Sequence, residues 1–414
     1  MKTPSVPDVV IVGGGLTGLA CALALSGDHL SSPLNVVVID AGPSYTERDF
    51  SRDPRGSAIT SGSRAMLEAI GIWQIISKQA QPFTRIKVTD SDDTIQSRPA
   101  LLSFLSDHDE CTVSAWMLEN SVIMQALVMK ILAAPNICVM TDTKVTGQKI
   151  QANSAEITLS TGQTLRTSLV VAADGKASYM RQTAGIDVIG WDYGQSGIAM
   201  TIAHEKPHEG CAEEYFRKAG PFAVLPLTGN RSSIVWTENT VTAEWLMTLP
   251  KEEFLAEFKT RLGNHLGEIQ IMSQYASWPL SFQLAKQFTA SRLALIGDAA
   301  HIVHPIAGLG FNLGLKDIAA LTECVMEQVR LGLDYGGQSA LDTYEQWRRM
   351  DTIMIAAACD GLNRLFSNDN TPLISIRRAG LKLVDQARPV KSFFMDRAAG
   401  TTGRQPKLMS GEPL

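Results

Sequence analysis

An α/β fold is what this chain predicts: a parallel, doubly wound sheet, then a β-rich α+β region, then a helical C-terminal part. Three observations carry the expectation. The β-branched run Val9-Val10-Ile11-Val12 leads straight into glycines and then into small apolar residues, the pattern of a buried parallel strand followed by a closely packed helix. Strand-like and helix-like segments alternate through residues 8–182, as a doubly wound sheet requires. Residues 186–282 then change to short strands (Ile198–Ala203, Phe222–Leu227, Ser233–Thr237) with a helix near Lys251–Leu262.

In chain order, Gly13, Gly15 and Gly18 satisfy GxGxxG directly after the first strand. The next strand, Val36–Ile39, ends in Asp40, 22 positions after Gly18. That context reads as a Rossmann-like dinucleotide site: glycines admit a pyrophosphate to a helix start, and the acid holds a ribose. Asp at a strand end also has a plain turn role. A third strand, Leu169–Ala172, ends in Asp174-Gly175, with Ser178 and Arg181 beyond it as helix-start residues. The last such segment is 292–317. A short strand (Leu293–Ile296) meets Gly297-Asp298, then His301, His304, Pro305, Gly308, Gly310 and Gly314, with the helical pattern beginning at Asn312. A strand-end carboxylate accepts hydroxyl protons, and a glycine loop at a helix start offers unpaired N–H groups to negative charge.

Bulk properties narrow the classes. The chain has 414 residues, 45% apolar and 19% charged, which fits a folded enzyme of two or three parts and not a disordered chain. A net charge of −5 gives no basic field for nucleic acid. The six cysteines lie scattered, without metal-type spacing, as in a reducing compartment. No basic-then-apolar leader and no apolar window of roughly 20 residues is seen, so membrane contact is expected to be peripheral at most. The predicted divisions are 1–185 with 283–340 for the cofactor domain, 186–282 for a substrate-binding sheet domain, 341–400 for a helical region and 401–414 for a frayed tail. Within the helical region, Leu373, Ile374, Ile376, Leu381 and Phe393-Phe394-Met395 mix with Arg377, Arg378, Lys382, Arg388 and Lys391. Such a stretch suits either an anionic lipid surface or a capping helix on the domain or a partner protein.

The segments 13–40, 174–181 and 297–317, in this order, resemble the single-component flavin monooxygenases that hydroxylate aromatic rings, with the fold of p-hydroxybenzoate hydroxylase. Arg55 ahead of a helix that ends in Gly71-Ile72-Trp73, Glu119-Asn120 at a helix start, and Trp278-Pro279-Leu280 before the late strand extend the resemblance. Residues 366–400 are similar to the C-terminal region of the ubiquinone-biosynthesis hydroxylases. The resemblance implies FAD, reduced by NADPH or NADH, and O2. The reaction it implies is hydroxylation of a polyprenylated phenol through a C4a-hydroperoxyflavin, in the cytoplasm or on the inner face of its membrane.

By resemblance, Gly13, Gly15, Gly18 and Asp40 hold the adenosine diphosphate half, and Arg55 and Asp174 flank the site. Asp298 takes the ribityl chain, while Pro305, Gly308, Gly310, Phe311 and Asn312 shape the flavin end. His301 and His304 are expected to pack and hydrogen-bond beneath the loop; no catalytic base and no metal is assigned. Leu309 stands where the family usually has glutamine. The other readings are a hydroxylase of a small soluble aromatic compound and a non-catalytic flavin-binding assembly subunit.

Overall fold

A computed structural model describes residues 6–90, 102–105, 115–366 and 404–414. The basic amphipathic stretch within 373–397 lies outside the described residues. The first sheet has six strands in the spatial order Thr289–Ala290, Leu293–Leu295, Leu169–Ala172, Val9–Val12, Val36–Ile39 and Ile137–Met140. All neighbours are parallel except the Thr289–Ala290 edge. The four central strands are apolar and buried along their whole length, in a core that also takes in the packed helices and Ala155, Ile157, Leu159 and Leu165 of a small three-stranded sheet. Helix Leu16–Ser26 is buried from Gly18 onward and packs against helices Asn120–Ala133 and Leu309–Arg330.

The second sheet is antiparallel for most of its extent. Its order is His301–Ile302, Ala276–Ala285, Val188–His204, Arg231–Asn239, Gly220–Leu227, Cys211–Arg217, Arg85–Asp90 and Leu102–Leu105, with Ile269–Ile271 on a side branch. One face packs on helices Thr240–Thr248 and Lys251–Leu262, around Phe222, Trp236, Phe254 and Phe258. The second helix is well specified locally. It has Glu252 and Glu253 in the first turn and Lys259 and Arg261 in the last, which match the helix dipole, and Gly263 beyond its end.

Three features differ from the sequence expectations. Strands Arg85–Asp90 and Leu102–Leu105 lie before residue 186 yet join the second sheet. The expected C-terminal helical region is present in helix Gln338–Phe366, but this helix does not stand apart from the other parts. It packs along helix Leu309–Arg330 and reaches strand Gly220–Leu227, and its Tyr344 hydroxyl donates to Leu295 O at 2.7 Å. The tail expected to fray folds back as helix Lys407–Ser410. Leu408 and Met409 are buried there, Lys407 N donates to Glu323 Oε2 at 2.8 Å, and Arg404 lies over the Trp347 ring at 4.2 Å. The sequence signal for this is weak because the apolar group is two residues long.

Glycine at 62 leaves room for the docking: a Cβ there would stand 3.2 Å from Met409 Cε. Leu408→Ala is therefore expected to destabilise the protein by about 2–4 kcal/mol, read as a lower urea midpoint. A change below about 0.5 kcal/mol, the range of ordinary surface substitutions, would show that the tail does not contribute to the folded state.

Candidate functional site

The late strand Leu293–Leu295 belongs to the first sheet, whereas His301–Ile302, a few residues on, belongs to the second. The Gly297-Asp298 turn and the glycine loop therefore sit where the two sheets meet. Close backbone approach builds this junction. At Gly13, φ is +108° and a Cβ would stand 2.2 Å from Ala173 O and 2.9 Å from Asp174 N, so the first glycine turn lies against the Asp174 strand end. A Cβ at Gly18 would stand 1.9 Å from Gly13 O, which seats the first helix on its own strand. Thr17 of that helix touches both Gly297 and Gly314, where a Cβ would come within 3.0 and 3.3 Å of it. Gly308, at φ +62°, adopts a left-handed conformation and lies against Ala58. Residues 13–18, 58, 174 and 297–314 thus converge from four parts of the chain.

The open side of this junction is chemically suited to FAD. A Cβ at Gly15 or at Gly310 would meet nothing within 4 Å, and both residues are exposed. Each lies at a helix start: Gly15 precedes Leu16–Ser26, and Gly310 is in the first turn of Leu309–Arg330. Neither helix has a side-chain cap or an acidic residue in its first turn, so unpaired N–H groups and the positive dipole end are left for an anionic ligand. Asp174 Oδ2 accepts from Met180 N at 3.1 Å, while its Oδ1 is buried with no hydrogen-bond partner. Asp40 Oδ1 accepts from Gly42 N at 2.7 Å and from Arg48 Nη2 at 2.6 Å. Its Oδ2 points toward Gly14, where a Cβ would come within 2.3 Å, and this leaves one oxygen for a ribose. Gly15, Asp40 and Asp174, on the turn that Gly13 and Gly18 close, would hold the adenine half of FAD, and Asp298 with residues 305–310 the flavin half.

Asp298 is exposed to this open side although protein surrounds it. Burial raises its pKa above the ordinary carboxylate value, and the charges of His301 and Arg55 oppose that rise. Arg55 forms a two-pronged pair with Asp53, at 2.8 Å for both contacts, and lies 5.2 Å from the centre of the Trp278 ring. Pro305 precedes the 3-10 turn Ile306–Gly308, and the helix begins at Leu309, three residues ahead of the expected start. Phe311 packs partly into the main core. The Asn312 side chain is bonded within the protein. Its Nδ2 donates to Ala58 O at 2.6 Å and Gly308 O at 3.1 Å, and its Oδ1 accepts from Thr60 N at 3.1 Å.

Beneath the loop lies a buried charge network that the sequence did not reveal. Asp317 Oδ2 accepts from His301 Nε2 at 2.5 Å and from Gly297 N at 3.0 Å, and Oδ1 accepts from Arg348 Nε at 2.8 Å. Arg348 also donates to Asp351 at 2.6 Å, and Lys316 lies 2.9 Å from Asp351. Burial alone would raise the Asp317 pKa, but His301, Arg348 and the Gly297 N–H together hold it below the ordinary value. The only sequence signal was the spacing of Arg348, Asp351 and Thr352 on one helical face. His301 is hydrogen-bonded as expected. His304 is not: both of its ring nitrogens are buried without partners, it packs edge-on to Tyr193 at 5.2 Å, and burial lowers its pKa to about 4. Arg181 is a brace as well as a helix-start residue, donating to Ala299 O and Lys176 O at 2.8 Å each.

The glycines separate open space, beside Gly15 and Gly310, from close protein contact at Gly13 and Gly18. Gly15→Val is expected to weaken FAD binding by about a hundredfold, roughly 2.7 kcal/mol, with the urea midpoint of the FAD-free protein unchanged. Gly18→Ala is expected to destabilise the FAD-free protein itself by about 1–3 kcal/mol. Full FAD affinity in Gly15→Val, by flavin fluorescence titration, would contradict the assignment.

Residues 7–354 match the family model described as FAD binding domain. The chain is 41% identical to "Ubiquinone hydroxylase UbiL" of Rhodospirillum rubrum, covering 99% of this chain and 94% of that one. It is 30% identical to "3-demethoxyubiquinol 3-hydroxylase" of Escherichia coli, covering 95% and 98%. It is 32% identical to "Ubiquinone biosynthesis monooxygenase COQ6, mitochondrial" of Rattus norvegicus, covering 95% and 91%. Among solved structures, p-nitrophenol 4-monooxygenase PnpA of Pseudomonas putida superposes with a TM-score of 0.78 at 19% identity, covering 96% of this chain and 99% of that one. This last likeness bears on the fold. With the family model spanning most of the chain and full-length relatives above 30% identity, the chain belongs to the FAD-dependent monooxygenase family that contains the ubiquinone-biosynthesis hydroxylases.

Proposed function

We propose that this protein hydroxylates the aromatic ring of a polyprenylated phenol on the route to ubiquinone, with NADPH or NADH as reductant and O2 as oxidant. The observation that carries the reading is the apolar ceiling over the glycine loop. Phe216 of the second sheet clusters with Ile306 and Phe366, and Ala212 of the same strand with Ala58, Phe83 and Met117. A prenylated ring is an apolar ligand, and such a surface excludes water from it. The names of the full-length relatives support the same substrate class.

FAD, when bound, supplies the electron transfer and the activation of O2; the residues of this chain position and shield. The uncapped N–H groups at the start of helix Leu309–Arg330 would stabilise negative charge at the flavin end. Asp298 would accept from ribityl hydroxyls. His304, kept neutral by burial, packs against Tyr193 and is given no proton-transfer role. No helix among the described residues is long and apolar enough to cross a membrane. The basic amphipathic sequence within 373–397 supports a peripheral encounter with the lipid that holds a prenylated substrate.

Deleting the gene in its host should cause a prenylated ring precursor lacking one hydroxyl to accumulate, identified by mass spectrometry. An unchanged quinone profile would contradict the proposal.

A further inference from the structure

The second sheet carries a carboxyl that has no partner among the described residues. Glu214 lies in strand Cys211–Arg217, where side chains alternate between faces. Tyr215 packs into the core under the two covering helices, and Glu213 faces the same way, 2.8 Å from His265 and 4.0 Å from Lys87. Ala212, Glu214 and Phe216 therefore point to the opposite face. Their neighbours locate that face. Ala212 clusters with Ala58, which abuts Gly308 at 3.3 Å from the position of a Cβ. Phe216 clusters with Ile306 and stacks on Phe366 at 3.9 Å. Glu214 stands between them in the strand and so lies on the same face.

Its register partners, Ala223 and Val88, are apolar. Asp90 stands two residues along, beside Phe216 in the register. Among the described residues no hydrogen bond or ion pair reaches the Glu214 carboxyl, although it keeps some accessible surface. Burial pushes its pKa up to about 8, so at neutral pH it is a carboxylic acid. A polar group left unpaired on an apolar face is unfavourable for folding, and such groups gather where ligands bind.

From this geometry we infer that Glu214 receives the ring hydroxyl of the substrate, its carbonyl oxygen accepting the phenol O–H and so fixing which ring carbon faces the glycine loop. No proton is transferred: the acid keeps its own proton and the phenol keeps its own. This inference rests on the phenol reading of the site, and its test is chosen to fail separately from that reading.

The test is calorimetric binding to the FAD-loaded protein of two probes, ortho-geranylphenol and geranylbenzene, which differ only in the hydroxyl. The wild type should prefer the phenol by about tenfold, the worth of one buried hydrogen bond. Glu214→Leu should lose that preference while still binding geranylbenzene. Glu214→Gln, which keeps an acceptor oxygen, should retain most of it. Glu214→Ala gives the same comparison if the leucine variant does not fold. A full preference in the leucine or alanine variant, or equal binding of both probes by the wild type, would overturn the assignment of Glu214. A wild type that binds neither probe would overturn the prenylated-phenol reading itself, and this inference with it.

Discussion

The buried carboxylate of Asp317 is the contact on which the site depends. It accepts from the Gly297 N–H of the Gly-Asp turn, from His301 where the chain enters the second sheet, and from Arg348 of the long helix. Asp317, His301 and Arg348 are all almost fully excluded from solvent. Removing one partner from such a group leaves a charge in a medium that cannot solvate it, at a cost of about 3–5 kcal/mol. The network therefore has strong reason to stay closed, and while it does, the turn after Gly297 has one position. That position turns Asp298 outward to the open side and sets where the loop to Gly310 begins. A structural ion network and the proposed cofactor cradle share the same short stretch of chain.

Glycines supply the second constraint. The first sheet, the first helix and helix Leu309–Arg330 come together at contacts too close for a Cβ at Gly13 and Gly18 and tight for one at Gly297 and Gly314. Gly15 and Gly310 differ in having free space beside them. The same residue type thus serves two ends: some glycines let the protein close on itself, and others leave room for the ligand. The second sheet then closes the open side from above, with a face on which Ala212, Phe216, Ala223 and Leu225 stand beside the polar Glu214, Ser233 and Thr237. The chemistry expected of the family, electron transfer followed by attack on a ring, needs such a site: anchored at the cofactor and dry at the substrate.

Much of this was legible in the sequence because it is local. The β-branched strands, the GxGxxG turn, Asp40 and the Gly297-Asp298 turn are each written in consecutive residues, and helix Lys251–Leu262 carries its own charges and stop signal. What was not legible depends on contacts between distant segments. Asp317 and Arg348 look like ordinary helical charges until two helices pack together. Asn312 reads as a ligand group but is consumed by Ala58, Gly308 and Thr60. Strands Arg85–Asp90 and Leu102–Leu105 precede the second sheet by about a hundred residues in the chain and carry no mark of their partner. The tail helix depends on two apolar side chains finding Gly62. Glu214 gains its apolar neighbour Val88 only through register with a distant part of the chain.

The central claim is that residues 13–18, 174–180 and 297–310 form one FAD site. Hydrogen exchange with and without FAD tests it most directly. The account predicts that exchange slows in all three segments together on adding FAD, with the uncapped helix starts at Leu16 and Leu309 among the most protected. Protection confined to 13–18, with 297–310 exchanging at its FAD-free rate, would contradict it.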